Sequence, residues 1–157
     1  MGMFGPEVGA FLEPGTVKCP GYEPVMDPEQ PPCPIGSRTH IRDAVIVTRV
    51  FSDDPRIAGW MTVELNANWD ADFQGPIWGT FSLLLDSDGT WVGTYQGLRA
   101  FENGEWVAEL HVSGKGLGGL VDGMKMTAED RISAIFPMPI AYEGEIEGRI
   151  LDPKAEK

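Results

Sequence analysis

Two side chains able to move a proton stand two residues apart at Glu109 and His111, in a run where polar and apolar positions alternate. Glu105, Val107, Glu109 and His111 fall on one side, and Trp106, Ala108, Leu110 and Val112 on the other. In a pleated strand this spacing puts the carboxyl and the imidazole on the same face. Between apolar walls the pair becomes a general acid and a general base, because burial shifts each pKa. Turned to solvent, the same pair is the wet side of an amphipathic strand. Thr94 with Gln96, and Glu64 with Asn66, give polar faces on two further runs, while Trp78, Trp91, Tyr95 and Trp106 give aromatic surface. We take Glu109 and His111 as the catalytic candidates, and Trp78, Trp91, Tyr95, Gln96 and Trp106 as the ligand-binding ones. Which faces turn inward is open at this level. Convergence of the polar faces makes an acid-base site, and convergence of the aromatic faces makes an apolar pocket.

Other chemistries lack their residues. His40 and His111 are 71 positions apart with no HxH or HExxH context, so neither a metal site nor a cofactor is expected. Asp86-Ser87-Asp88-Gly89 opens like a calcium loop, but its twelfth position, where a bidentate carboxylate belongs, is Gly97. It reads instead as a hairpin turn. Gly114-Lys115-Gly116-Leu117-Gly118-Gly119 has part of a phosphate-loop spacing, without the Gly-Lys-Ser/Thr ending or a following helix. That stretch reads as a connection whose glycines let it fold over a barrel mouth. No GxSxG elbow presents a serine nucleophile. Glu143, Glu145 and Glu147 share one face of the last run, which like-charge repulsion keeps wet.

The chain that must position these residues has 157 of them, 42% hydrophobic, which suits one domain with one core. Its 20 glycines and 13 prolines follow no period, which argues against collagen and against a helical bundle. Acidic residues outnumber basic ones 24 to 12 and the formal net charge is −12, so nucleic acid and anionic membrane are not expected partners. No apolar run reaches the ~18 residues of a membrane-spanning helix. From residue 37 onward, short β-branched and aromatic runs alternate with turns, at residues 38–51, 58–68, 77–85, 90–98, 105–113, 124–135 and 140–151. Seven or eight antiparallel strands joined by short turns lose their edges by closing into a barrel, with a β-sandwich as the competing layout. Glycines 79, 93, 97, 123, 144 and 148 inside the strands would allow the sharp coiling of a small barrel. Residues 124–136, free of Gly and Pro, are the sole stretch that could form a helix, but their apolar positions make no continuous helical stripe.

Eight of the 13 prolines fall in the first 34 residues, so residues 1–36 read as an irregular arm, 37–152 as the barrel domain and 153–157 as a tail. Cys19 and Cys33, with 13 residues between them, match no zinc or CxxC pattern and are expected to form a disulfide. Closing a loop of that length is worth roughly 3 kcal/mol in the chain-entropy model. Such a bond favours a secreted or periplasmic protein whose native signal peptide has been removed or replaced at Met1-Gly2.

Trp78-Gly79-Thr80-Phe81, the hairpin Gly89-Thr90-Trp91-Val92-Gly93-Thr94-Tyr95-Gln96-Gly97 and the following Gly114-Lys115-Gly116-Leu117-Gly118-Gly119-Leu120-Val121-Asp122-Gly123 together resemble the allene oxide cyclase type of calycin-like barrel. The resemblance covers residues 38–151 in layout and 78–123 in motif. It implies an eight-stranded antiparallel barrel with an apolar cavity, assembling as a homodimer or homotrimer. The wider group includes plant fatty-acid cyclases, dirigent proteins and bacterial polyketide cyclases, which hold a reactive chain in one folded shape with few catalytic groups. None of the group's catalytic residues maps onto a position here, and the cysteine-bearing arm departs from the pattern. The expected function is binding of a small, largely apolar molecule inside the barrel, with cofactor-independent cyclisation or isomerisation by confinement. The alternative is a secreted carbohydrate- or lipid-binding protein without catalysis.

Overall fold

Period-two alternation shapes almost the whole chain. The computed structural model describes residues 2–13, 15–25, 33–34, 36–72, 74–134 and 141–153. Its strands are β1 (Gly2–Glu13), β2 (Thr16–Lys18), β3 (Thr39–Val50), β4 (Gly59–Trp69), β5 (Gly75–Leu85), β6 (Thr90–Glu102), β7 (Glu105–Leu117), β8 (Lys125–Ala134) and β9 (Ala141–Leu151). Antiparallel neighbours run in the order β1-β9-β8-β7-β6-β5-β4-β3, and β1 pairs again with β3, which closes an eight-stranded barrel with β2 as an added strand on β3. The all-β barrel expected from the sequence is therefore the fold, and residues 125–134 are strand. Inward positions such as Ile46, Leu65, Phe81, Trp91, Leu110 and Met126 are buried and form one core.

The expected irregular arm is corrected by the structure, because its first part is the strand that completes the barrel. β1 pairs with β3 from Glu7↔Val50 to Glu13↔Val45, and with β9 from Gly2↔Gly148 to Ala10↔Ala141. Proline at position 6 does not break it. A bulge between Met3 and Gly5 lies beside Pro6, where a missing N–H is tolerated, and the Pro6 carbonyl accepts from Phe51 N at 2.9 Å. β2 then continues along β3 from Thr16↔Arg42 to Lys18↔His40, opposite a β3 bulge at Asp43 whose φ is 58°. The Cys19–Cys33 disulfide is formed and both residues belong to the core. A turn at Pro20-Gly21 follows, closed by Tyr22 N donating to Cys19 O at 2.8 Å. The Pro31-Pro32 turn and residues 154–157 of the tail lie outside the described residues.

The strand glycines are sites of close approach. A Cβ at Gly93 would stand 1.9 Å from Ser113 O and 2.9 Å from the Phe81 ring, and one at Gly79 would stand 1.8 Å from Glu64 O and 2.9 Å from the Tyr95 hydroxyl. These positions let a neighbouring strand coil inward and give an aromatic ring somewhere to lie. One end of the barrel is sealed by Ile57, Trp91 and Val121, each almost fully buried, with Trp91 Nε1 donating to Arg56 O at 2.7 Å. The expected connection is corrected in part: residues 114–117 continue β7 and pair with β6, and only residues 118–123, with Gly123 in a turn rather than a strand, fold over this end. Leu120 N donates to Asp88 O at 2.9 Å in the Asp86–Gly89 turn, and a 3-10 turn at Gly119–Val121 carries Val121 inward.

Candidate functional site

Closure of the barrel decides which faces point inward. On β6 the inward set includes Trp91 and Tyr95, both buried, and on β7 it includes Ala108 and Leu110. The opposite phase carries Trp78, Gln96, Glu109 and His111 outward. The structure thus divides the sequence-derived site residues. Trp91 and Tyr95 belong to the interior. The four outward residues gather in a shallow groove on the outer wall, joined in register through Trp78↔Gln96, Gln96↔His111 and His111↔Glu129. Trp106 lies on β7, and its side chain is outside the described residues.

On the outer wall, Glu109 and His111 do not face one another across a substrate space. His111 Nδ1 lies 2.7 Å from Glu129 Oε1, and Glu109 is ion-paired with Arg131, which also reaches Glu102 at 3.3 Å. The two side chains are more than half exposed, so the apolar enclosure that an acid-base role required of them is absent. Trp78 is half-buried beneath the Arg42 guanidinium, 5.1 Å from the ring centre. The aromatic faces are the ones that converge.

Inside lies a cavity of about 60 Å3. Phe4, Met61, Phe81, Leu110, Met126 and Ile146 are among the apolar side chains that line it, and Asp130 and Tyr95 are its polar ones. Tyr95 donates its hydroxyl to Glu64 O at 2.8 Å across Gly79, and burial, with Glu64 and Asp130 nearby, raises its pKa. Asp130 is the residue of interest. β8 presents Met126, Ala128, Asp130 and Ile132 in one phase, so its ladder forces a carboxyl into the apolar interior.

A second carboxyl meets it there. Glu7 of β1 is 1% exposed, and a Cβ at Gly144 would stand 2.7 Å from its Oε1, so the absent side chain on β9 provides its seat. Glu7 and Asp130 lie within hydrogen-bonding reach of each other, which calls for a proton shared between them. Burial and the neighbouring Asp130 raise the Glu7 pKa well above the usual carboxyl range, and burial raises that of Asp130 to about 6. Glu7 Oε1 and Oε2 and Asp130 Oδ1 have no other hydrogen-bond partner among the described residues. Further along the interior, Arg99 stacks on Trp69 at 4.3 Å, and burial lowers its pKa to about 9.

Sequence reasoning missed this pair for two different reasons. Asp130 was visible as the one charge in phase with Met126, Ala128 and Ile132. Glu7 was hidden because its glycine- and proline-containing surroundings do not look like a strand. Among the described residues no group of three or more His, Cys, Asp or Glu side chains could hold a metal ion. The molecule is thus a closed antiparallel eight-stranded barrel, of a build consistent with calycin-like proteins, with an acidic pair in its wall. No protein-family model, curated protein or solved structure matches the chain.

Proposed function

We propose that the barrel takes up a small, largely apolar molecule and holds it in one shape. The cavity behind this reading is apolar on nearly every side and has one titratable carboxyl, Asp130, at its wall. Its space exceeds the ~10–15 Å3 that a single water needs. Met61 and Met126 in the lining can change rotamer to fit a larger guest. Confinement of this kind supports the cyclase or isomerase role that the resemblance to allene oxide cyclase-type barrels implies, since a guest fixed near its reactive shape has less entropy to lose. In that role the proton is handled by Glu7 and Asp130. The Cys19–Cys33 disulfide supports a secreted or periplasmic setting.

Titration with benzene or toluene, followed through the methyl resonances of Ile132 and Ile146, tests the reading. Saturable shifts are expected in the wild-type protein and should disappear in Ala128→Leu, whose added bulk occupies the space. Methyl resonances that stay fixed at saturating guest would refute uptake. A second reading is favoured by the outer row of Trp78, Gln96 and His111, which offers a ring to stack on and hydrogen-bonding groups beside it, as a sugar-binding wall would. Retention on a polysaccharide resin, abolished by Trp78→Ala with the fold intact, would move the function to that face.

A further inference from the structure

We infer that the cavity is built to seat the ammonium group of a small primary amine, its nitrogen held by Asp130 at the cavity wall with Glu7 backing that carboxyl, and its short apolar body lying against Phe81, Leu110 and Ile146. The inference rests on the cavity reading above and names the class of guest. Three buried oxygens, Glu7 Oε1 and Oε2 and Asp130 Oδ1, have no donor among the described residues. A buried carboxyl without donors is costly, and the walls around this pair are otherwise apolar. The proton shared within the pair leaves one negative charge once Asp130 ionises, and a partner that brings hydrogen-bond donors and positive charge together answers it. An ammonium brings three N–H donors and no acceptor. An alcohol brings one donor and no charge, and a carboxylate guest would be repelled.

The surroundings point the same way. The absent side chain at Gly144 is filled by Glu7 Oε1, which holds the second carboxyl against Asp130 behind the cavity wall. Two carboxyls fall short of the oxygen-rich shell that a hard metal cation takes, and no larger ligand group is found among the described residues. The net charge of −12 gives the molecule a field that concentrates cations around it. Binding at low pH requires the proton on Asp130 to leave. Of the titratable groups on neighbouring elements, Tyr95 faces Asp130 from β6 and stays neutral, and the described inward side chains near the pair on β3, β7 and β9 do not titrate. The amine should therefore bind more weakly as pH falls below the range in which Asp130 ionises.

The experiment compares n-butylamine, 1-butanol and butyrate at pH 8, read by the Ile132 and Ile146 methyl resonances. We expect n-butylamine to bind about tenfold or more tightly than 1-butanol, as a charge-assisted contact should provide, and butyrate not to enter. In the double variant Glu7→Gln/Asp130→Asn the preference should fall below about twofold while 1-butanol still binds. Equal binding of amine and alcohol by the wild type would overturn the amine assignment and leave the apolar cavity standing. So would amine shifts confined to the exposed Glu143, Glu145 and Glu147. If neither compound moves the two methyl groups, the cavity reading falls and takes this inference with it. The wild-type comparison decides the matter even if the double variant does not fold.

Discussion

Burying two carboxyls makes the protein's stability run against the usual pH trend at one site. Glu7 and Asp130 both have raised pKa values in the folded chain, so folding holds protons that the unfolded chain has already released. Their contribution is fully present below the unfolded carboxyl range and is lost as pH rises through the folded values, about 6 for Asp130. Asp54 and Asp86 act in the opposite sense. Hydrogen bonds from Arg56 and Arg49 lower their pKa values, so their contributions are lost below about pH 4. The melting midpoint is therefore expected to peak near pH 5 and to decline toward pH 8. Asp130→Asn should flatten the decline and melt higher than wild type at pH 8, with little difference near pH 4. A wild-type midpoint that climbs steadily from pH 5 to pH 8 would contradict this account of the pair.

At the level of the strand, glycine decides how the barrel curves. Gly93 on β6 faces the β7 backbone and the Phe81 ring at distances no Cβ can share. Gly93→Val is expected to destabilise the fold by about 3 kcal/mol or more, whereas Thr94→Val, one residue on and outward, should stay within roughly 0.5 kcal/mol. Chemical denaturation of both variants checks this, and equal midpoints would show that the approach at Gly93 can relax. The strands from β3 onward were legible in the sequence because their alternation survives in runs of ten or more residues. The turn at Asp86–Gly89 was legible from its own chemistry. β1 was not, since Gly5, Pro6 and Gly9 interrupt the pattern that would identify it, and what makes it a strand is pairing with residues on β3 and β9. Facing was illegible for a related reason. β6 carries Trp91 and Tyr95 on one side and Thr94 and Gln96 on the other, and nothing local to the strand says which side is covered. Register around a closed ring settles that, and it turned Glu109 and His111 outward.

For the whole molecule, closure depends on one segment. β1 is hydrogen-bonded to both β3 and β9, so without it the barrel opens along two edges. Deleting residues 2–13 is expected to abolish cooperative thermal unfolding and to produce aggregates in size-exclusion chromatography. A truncated monomer that melts sharply at the wild-type midpoint would show that the remaining seven strands can close by themselves. The same pairing sets an order of events during synthesis. The barrel's first strand must wait for its last, because Gly2 finds Gly148 only after β9 has emerged from the ribosome. β1 can pair with β3 as soon as β3 is made, so until β9 arrives the sheet's open margins are β1 and the newest strand. The two buried carboxyls are also kept apart until the final pairing, so the acidic site comes into being with the last step of folding.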